Sequence, residues 1–197
     1  MLATEKQKLL DKSGDYISIG ITSDGVPLNV ISVPWRKTVH AYNMKIPDVY
    51  ISPQDLEDEA LMGLLSECKV IGCYIWATLE SFGFLQRFQE VRDLNIIGGS
   101  NITNLDFLIG LKKCSMLVLH DAQLENFDVI LDARDYGVWN VFKCVGLYNC
   151  HVRDLSRFEK EKHNFFEFLV WNPKSKNERE RWNVISADTF GYYEIKE

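Results

Sequence analysis

The stretch LNIIGGSNITNLDFLIGLKKC, residues 94–114, decides the reading of this chain. It opens on alternating apolar positions, Leu94 and Ile96, passes a Gly-Gly-Ser-Asn turn, reaches Ile102, and then places Leu105, Leu108 and Leu111 at strict three-residue steps. Alternation over a few residues is the pattern of a strand, and the Gly-rich run after it is turn chemistry. If the pattern occurs once, it is one strand and one helical turn. If it recurs, it is a module.

It recurs. Upstream, VIGCYIWATLESFGFLQRF carries alternating Ile71, Cys73 and Ile75, an anchor at Leu79, then Phe82, Leu85 and Phe88. Downstream, MLVLHDAQLENFDVI carries Leu117 and Leu119, the anchor Leu124, then Phe127 and Ile130; VGLYNCHVRDLSRF follows with Val145, Leu147, Val152, Leu155 and Phe158. Earlier still, VYISPQDLEDEALMGLL supplies Val49, Ile51, the anchor Leu56, and a helical run through Ala60, Leu61 and Leu64. The anchors at 56, 79, 102, 124 and 152 are separated by 23, 23, 22 and 28 residues, and a strand at Phe166 and Phe168 begins one more unit. The long step is expected to hold a short inserted loop, residues 132–140, because loops are where repeat arrays take extra length.

One such unit has an apolar edge that it cannot bury alone, so neighbours must stack into a continuous core with their strands side by side as a parallel sheet. The expected class is therefore α/β, with strand residues alternating between the core and an outward sheet face. With Ile71/Cys73, Leu94/Ile96, Leu117/Leu119, Val145/Leu147 and Phe166/Phe168 inward, the outward set is Tyr50, Gly72, Tyr74, Asp93, Asn95, Val118, His120, Gly146, Tyr148, Glu167 and Leu169.

The period and the NITNLDFLIGL pattern resemble the leucine-rich repeat, in its short bacterial or intracellular form, over about residues 48–172. The resemblance is best at residues 91–131. The consensus Asn stands as Asn101 and is replaced by Ala122 and Cys150 in the next two units, where Cys150 would sit inside. The resemblance implies a solenoid with its sheet on a concave face, capped at both ends, binding a protein through that face. The run YISIGITSDGVPLNVISV, residues 16–33, reads as a β-hairpin around an Asp-Gly turn. Residues 1–47 are thus assigned to an N-terminal cap that begins with a frayed helix over residues 1–12, residues 48–172 to the solenoid, and residues 173–197 to a C-terminal cap.

Composition narrows the function. A net charge of −6 in 197 residues, with no basic cluster, argues against nucleic acid, whose phosphates draw on a basic face. The N-terminus lacks a signal-type apolar core, and no window approaches the roughly 20 apolar residues of a membrane span, so a cytoplasmic protein is expected. The five cysteines, at 68, 73, 114, 144 and 150, lie in apolar surroundings without knuckle spacing and read as free buried thiols rather than metal ligands. Catalytic motifs are missing, and the four histidines, 40, 120, 151 and 163, are scattered. His120 falls on the outward face, where it reads as a contact residue.

The expectation is a non-catalytic protein-binding module without cofactor or metal. Its contact surface is the outward face, through Tyr50, Tyr74, Asp93, Asn95, Val118, His120, Tyr148 and Glu167. In particular, Tyr74, Asn95, His120 and Tyr148 are expected to form one stripe across that face, with Tyr74 and Tyr148 outside the core and replaceable together by Ala with the melting temperature nearly unchanged. Two alternatives stand beside it. One is an inhibitor or immunity-type protein that blocks a specific enzyme. The other is an enzyme with a site between the N-terminal hairpin and the first repeats, where Trp35, Arg36, His40 and Tyr42 cluster.

Overall fold

A computed structural model describes residues 3–27, 46–135, 142, 144–161 and 167–171. The chain opens with helix α1 (Ala3–Asp11) and strand β1 (Tyr16–Ile21). Strand β2 (Val49–Ile51), helix α2 (Glu59–Glu67) and strands β3 (Lys69–Ile75), β4 (Asp93–Ile96) and β5 (Met116–His120) follow. The remainder is β6 (Gln123–Leu124), α3 (Asp128–Asp135), β7 (Cys144–Tyr148), β8 (His151–Val152), α4 (Ser156–Glu161) and β9 (Glu167–Trp171). Seven strands form one parallel sheet in the order β2-β1-β3-β4-β5-β7-β9, and β6 pairs with β8 in a second, two-stranded ladder.

From β3 onward each unit repeats the same path. The strand's inward residues, Cys73/Ile75, Leu94/Ile96, Leu117/Leu119 and Val145/Leu147, are at most 1% exposed. A left-handed residue follows three successive strands, Gly98 (φ 103°), Asp121 (φ 62°) and Asn149 (φ 53°); glycine and the short Asp and Asn side chains are the types that tolerate this region. The chain then reaches the anchor, and Leu79, Ile102, Leu124 and Val152 are all buried. Backbone bonds join the anchors of adjacent units, Gln123 N to Ile102 O and Arg153 N to Leu124 O at 2.9 Å each. The three-step ladders are buried too: Leu105, Leu108 and Leu111 are each 2% exposed. Short 3-10 turns at Gly83–Arg87 and Asp106–Leu108 carry two of these ladders, and α3 and α4 occupy the same place in later units.

Two residues beyond each anchor stands a small polar side chain that accepts a backbone N–H two residues on. Asp58 takes Ala60 N at 2.9 Å, Ser81 takes Gly83 N at 3.2 Å, Asn104 takes Asp106 N at 3.1 Å, Asn126 takes Asp128 N at 3.1 Å and Asp154 takes Ser156 N at 2.9 Å. These turns satisfy donors that each helical start would otherwise leave open. Asn101 donates to Leu79 O of the preceding unit. Cys150 is buried and its thiol lies 3.4 Å from Leu119 O.

Several expectations are corrected. There is no hairpin at β1: its two edges are taken by β2 and β3, both parallel, which leaves no edge for an antiparallel arm. The second half of that stretch, residues 28–33, lies outside the described residues, as do residues 136–141 and 172–197. The sheet is open and not curled, so the face expected to be concave is not concave. Residues 132–135 end α3 and are not loop. In β3 a register shift against Ile17/Ser18 leaves Ile71 half-exposed and places Val70 inward instead. In α2 the buried stripe is Leu61, Met62 and Leu65, while Ala60 is exposed and Leu64 half-buried. Phe166 lies outside the described residues; Phe168 is in register with Val145 in β9.

Candidate functional site

Strand register sorts the outward face into rows. Tyr50, Gly20, Tyr74, Asn95, Val118, Gly146 and Leu169 stand level with one another on seven neighbouring strands. Gly72, Asp93, Met116, Cys144 and Glu167 form the row toward the strand starts. His120, Tyr148 and Trp171 are level with one another toward the strand ends, two residues beyond the middle row, and Trp76 stands two residues beyond Tyr74, just past the end of β3. The expected stripe of Tyr74, Asn95, His120 and Tyr148 is therefore two rows, because Tyr74 and Asn95 are in register with Val118 and not with His120.

The middle row is also not a solvent face. Tyr50 is 4% exposed, Tyr74 3%, Asn95 6% and Val118 4%. Parallel sheets are stable almost only with both faces covered, and this one follows that rule. Part of the cover is local. The ring of Trp76 stacks on Tyr50 and Tyr74 with centroids 6.3 and 6.0 Å away. The tyrosines lie over glycines: a Cβ on Gly20 would come within 2.8 Å of the Tyr50 ring, one on Gly72 within 3.0 Å of the Tyr74 ring, and one on Gly146 within 3.2 Å of the Tyr148 ring. Each glycine is thus the slot for an aromatic plate. The sequence carries the signal twice, as Gly72-Cys73-Tyr74 and Gly146-Leu147-Tyr148, where the glycine precedes the tyrosine on the same face of the strand.

What remains accessible lies at the margins. Asp93 and Met116 in the first row are half-buried, and so are His120 and Trp76. His120 stacks on Tyr148 across β5 and β7, centroids 4.6 Å apart and planes 11° apart, and Tyr148 is only 9% exposed, so it too is buried and not the solvent-facing residue expected. Burial holds the imidazole down to about 4, against a smaller opposing pull from Asp121. Asn149 donates to Asp121 just beyond the stack, linking two left-handed turns. A neutral, stacked imidazole is a rigid contact surface that carries no charge near neutral pH. Glu167 lies on β9.

Among the described residues no group of three or more His, Cys, Asp or Glu is placed to hold a metal ion. Four of the five free thiols are buried and Cys144 is half-buried. Desolvation pushes the Cys73 and Cys114 thiols well above their ordinary range, which keeps them in the inert thiol form. Trp35, Arg36, His40 and Tyr42, on which the enzyme alternative rests, lie outside the described residues. No helix of the described residues is long and apolar enough to cross a membrane.

No family model matches the chain, and no curated protein matches it.

Proposed function

We propose that this chain is a leucine-rich-repeat solenoid that acts as a protein-binding module and not as an enzyme, with its contact centred on the His120–Tyr148 stack. The recurrent path of strand, left-handed turn, buried anchor and capped 3-10 turn or helix supports the repeat assignment. The observation that carries the contact surface is the stack itself, a half-buried imidazole lying flat on a tyrosine of the neighbouring strand. Aromatic groups held on rigid elements lose little entropy on binding, which is why such residues are enriched among interface hot spots. Tyr50, Tyr74, Asn95 and Val118, buried in the neighbouring row, make no direct contact in this reading. The net charge of −6 favours a protein partner over nucleic acid.

The test is capture of partners from native cytoplasm, identified by mass spectrometry, with three versions of the protein. The wild type and Asp132→Ala, an exposed change on α3, are expected to recover the same partner. The double variant His120→Ala/Asp121→Ala is expected to lose it. Recovery at wild-type strength by the double variant would overturn the placement of the surface.

A further inference from the structure

A groove of about 320 Å³ opens between two successive units, walled by Glu80 and Ser81 on one side and Thr103 and Asn104 on the other, with Phe82 and Phe107 also lining it. The two rings stack at 4.7 Å with planes 29° apart. We propose that this groove receives a cationic side chain, arginine or lysine, from a protein partner; the inference rests on the protein-binding reading above and gives the partner's chemistry.

The first argument is charge. Several carboxylates on this repeat surface are matched to a cation one unit away: Glu59 by Arg87 at 2.8 Å, Glu90 by Lys113, Asp132 by Arg157. The position just after each anchor forms a column, Glu57, Glu80, Thr103, Glu125 and Arg153. Within it Glu125 pairs with Arg153 at 3.4 Å, whereas Glu80 has Glu57 and Thr103 as column neighbours. Among the described residues no ion pair includes Glu80 or its column neighbour Glu57, both exposed, so uncompensated negative charge stands at the mouth of the groove.

The second argument is the lining. A guanidinium or ammonium over an aromatic face is attracted by the ring quadrupole within about 6 Å of the centroid. The Thr103 hydroxyl oxygen and the Glu80 carboxylate are acceptors, the Asn104 carbonyl and Ser81 hydroxyl oxygens each keep a second lone pair beside the backbone N–H they already take, and a guanidinium offers only donors. An anion would be repelled by Glu80. The space admits one long side chain. The acidic balance of the whole chain, −6, draws a basic partner toward it.

The test is a titration of the full chain with N-acetyl-arginine methylamide, following the ring resonances of Phe82 and Phe107, against N-acetyl-citrulline methylamide, its neutral isostere. Saturable shifts with the arginine probe, weaker ones with citrulline, and a loss of about 1.5-fold to fivefold in affinity in Glu80→Gln are expected, the range of an exposed ion pair. Glu80 is exposed, so Glu80→Gln is expected to fold as the wild type does. Equal binding of both probes would mean a site for neutral polar groups and would overturn the proposal. So would an unchanged affinity in Glu80→Gln, or no shift at either ring. No partner enters this titration, so its failure leaves the partner-capture result to stand or fall separately.

Discussion

The inner face of the sheet and the middle row of its outer face are both buried, yet they are built from different residues. Inward stand Ile19, Ile21, Val49, Ile51, Leu94, Ile96, Leu117, Leu119, Val145 and Leu147, all aliphatic and at most 1% exposed. Outward, aromatic plates alternate with glycines: Tyr50 over Gly20, Tyr74 over Gly72, Tyr148 over Gly146. The inner face packs by stacking like on like from unit to unit, so a hole in one unit is felt by its neighbours. The outer face packs by complementing large with absent side chains on the same or the next strand. Burial alone therefore does not define a core; the way the volume is filled decides which substitution a face can take.

The comparison breaks first on the inner side. Leu108, 2% exposed on the three-step ladder, is expected to cost roughly 2 to 5 kcal/mol as Leu108→Ala in chemical denaturation, the range for buried leucines in cores. An unchanged midpoint would place the ladder in the wrong register. Next, Tyr74→Ala on the outer face is expected to lose about 3 kcal/mol, since the ring is 3% exposed and shares a stack with Trp76. Thermal neutrality, the outcome expected for a residue outside the core, would show that the outer packing contributes nothing.

His120 sharpens the contrast through pH. The unfolded imidazole takes up its proton near the ordinary value of about 6.5, and the folded one only near 4. Between those values the unfolded state binds more protons, so stability is complete above about pH 6.5 and falls as pH drops, by about 2 kcal/mol between pH 7 and 4.5. His120→Phe, which keeps a ring on Tyr148, is expected to remove that slope from a stability-versus-pH series. A slope that persists in the variant would assign the effect to another group.

Smaller effects follow at the turns and on the surface. Asn104→Ala removes the acceptor for Asp106 N and is expected to cost about 1 kcal/mol, as loss of a helical N-terminal cap does. Glu125→Gln, at a pair exposed on both sides, is expected to change stability by less than about 0.5 kcal/mol. A larger loss there would mean that the columns of charge hold the stack together, which the inner face is expected to do unaided.

The repeat could be read in the sequence because its signal is local. Alternation at Leu94/Ile96 and the three-residue steps at Leu105, Leu108 and Leu111 are set by strand and helical-turn periods, and the same phrase recurs often enough to fix strand, anchor and ladder. The helix expected over residues 1–12 is found as α1, Ala3–Asp11. The capping residues at 58, 81, 104, 126 and 154 were legible in principle, as a polar column two places after each anchor.

Only tertiary structure decided the rest. Asp24-Gly25 after an alternating run is a good local hairpin signal, but β1 gains more by lying between β2 and β3, where Ile17, Ile19 and Ile21 join the core and Gly20 leaves room for Tyr50 and Trp76. Outward parity was correct for Tyr74, Asn95, His120 and Tyr148, but parity does not give register, and one pair of residues along a strand separates the middle row from the outer one. Nor does parity give exposure. Whether an outward side chain meets water depends on what the rest of the chain lays over it, and in a parallel sheet both faces must be covered.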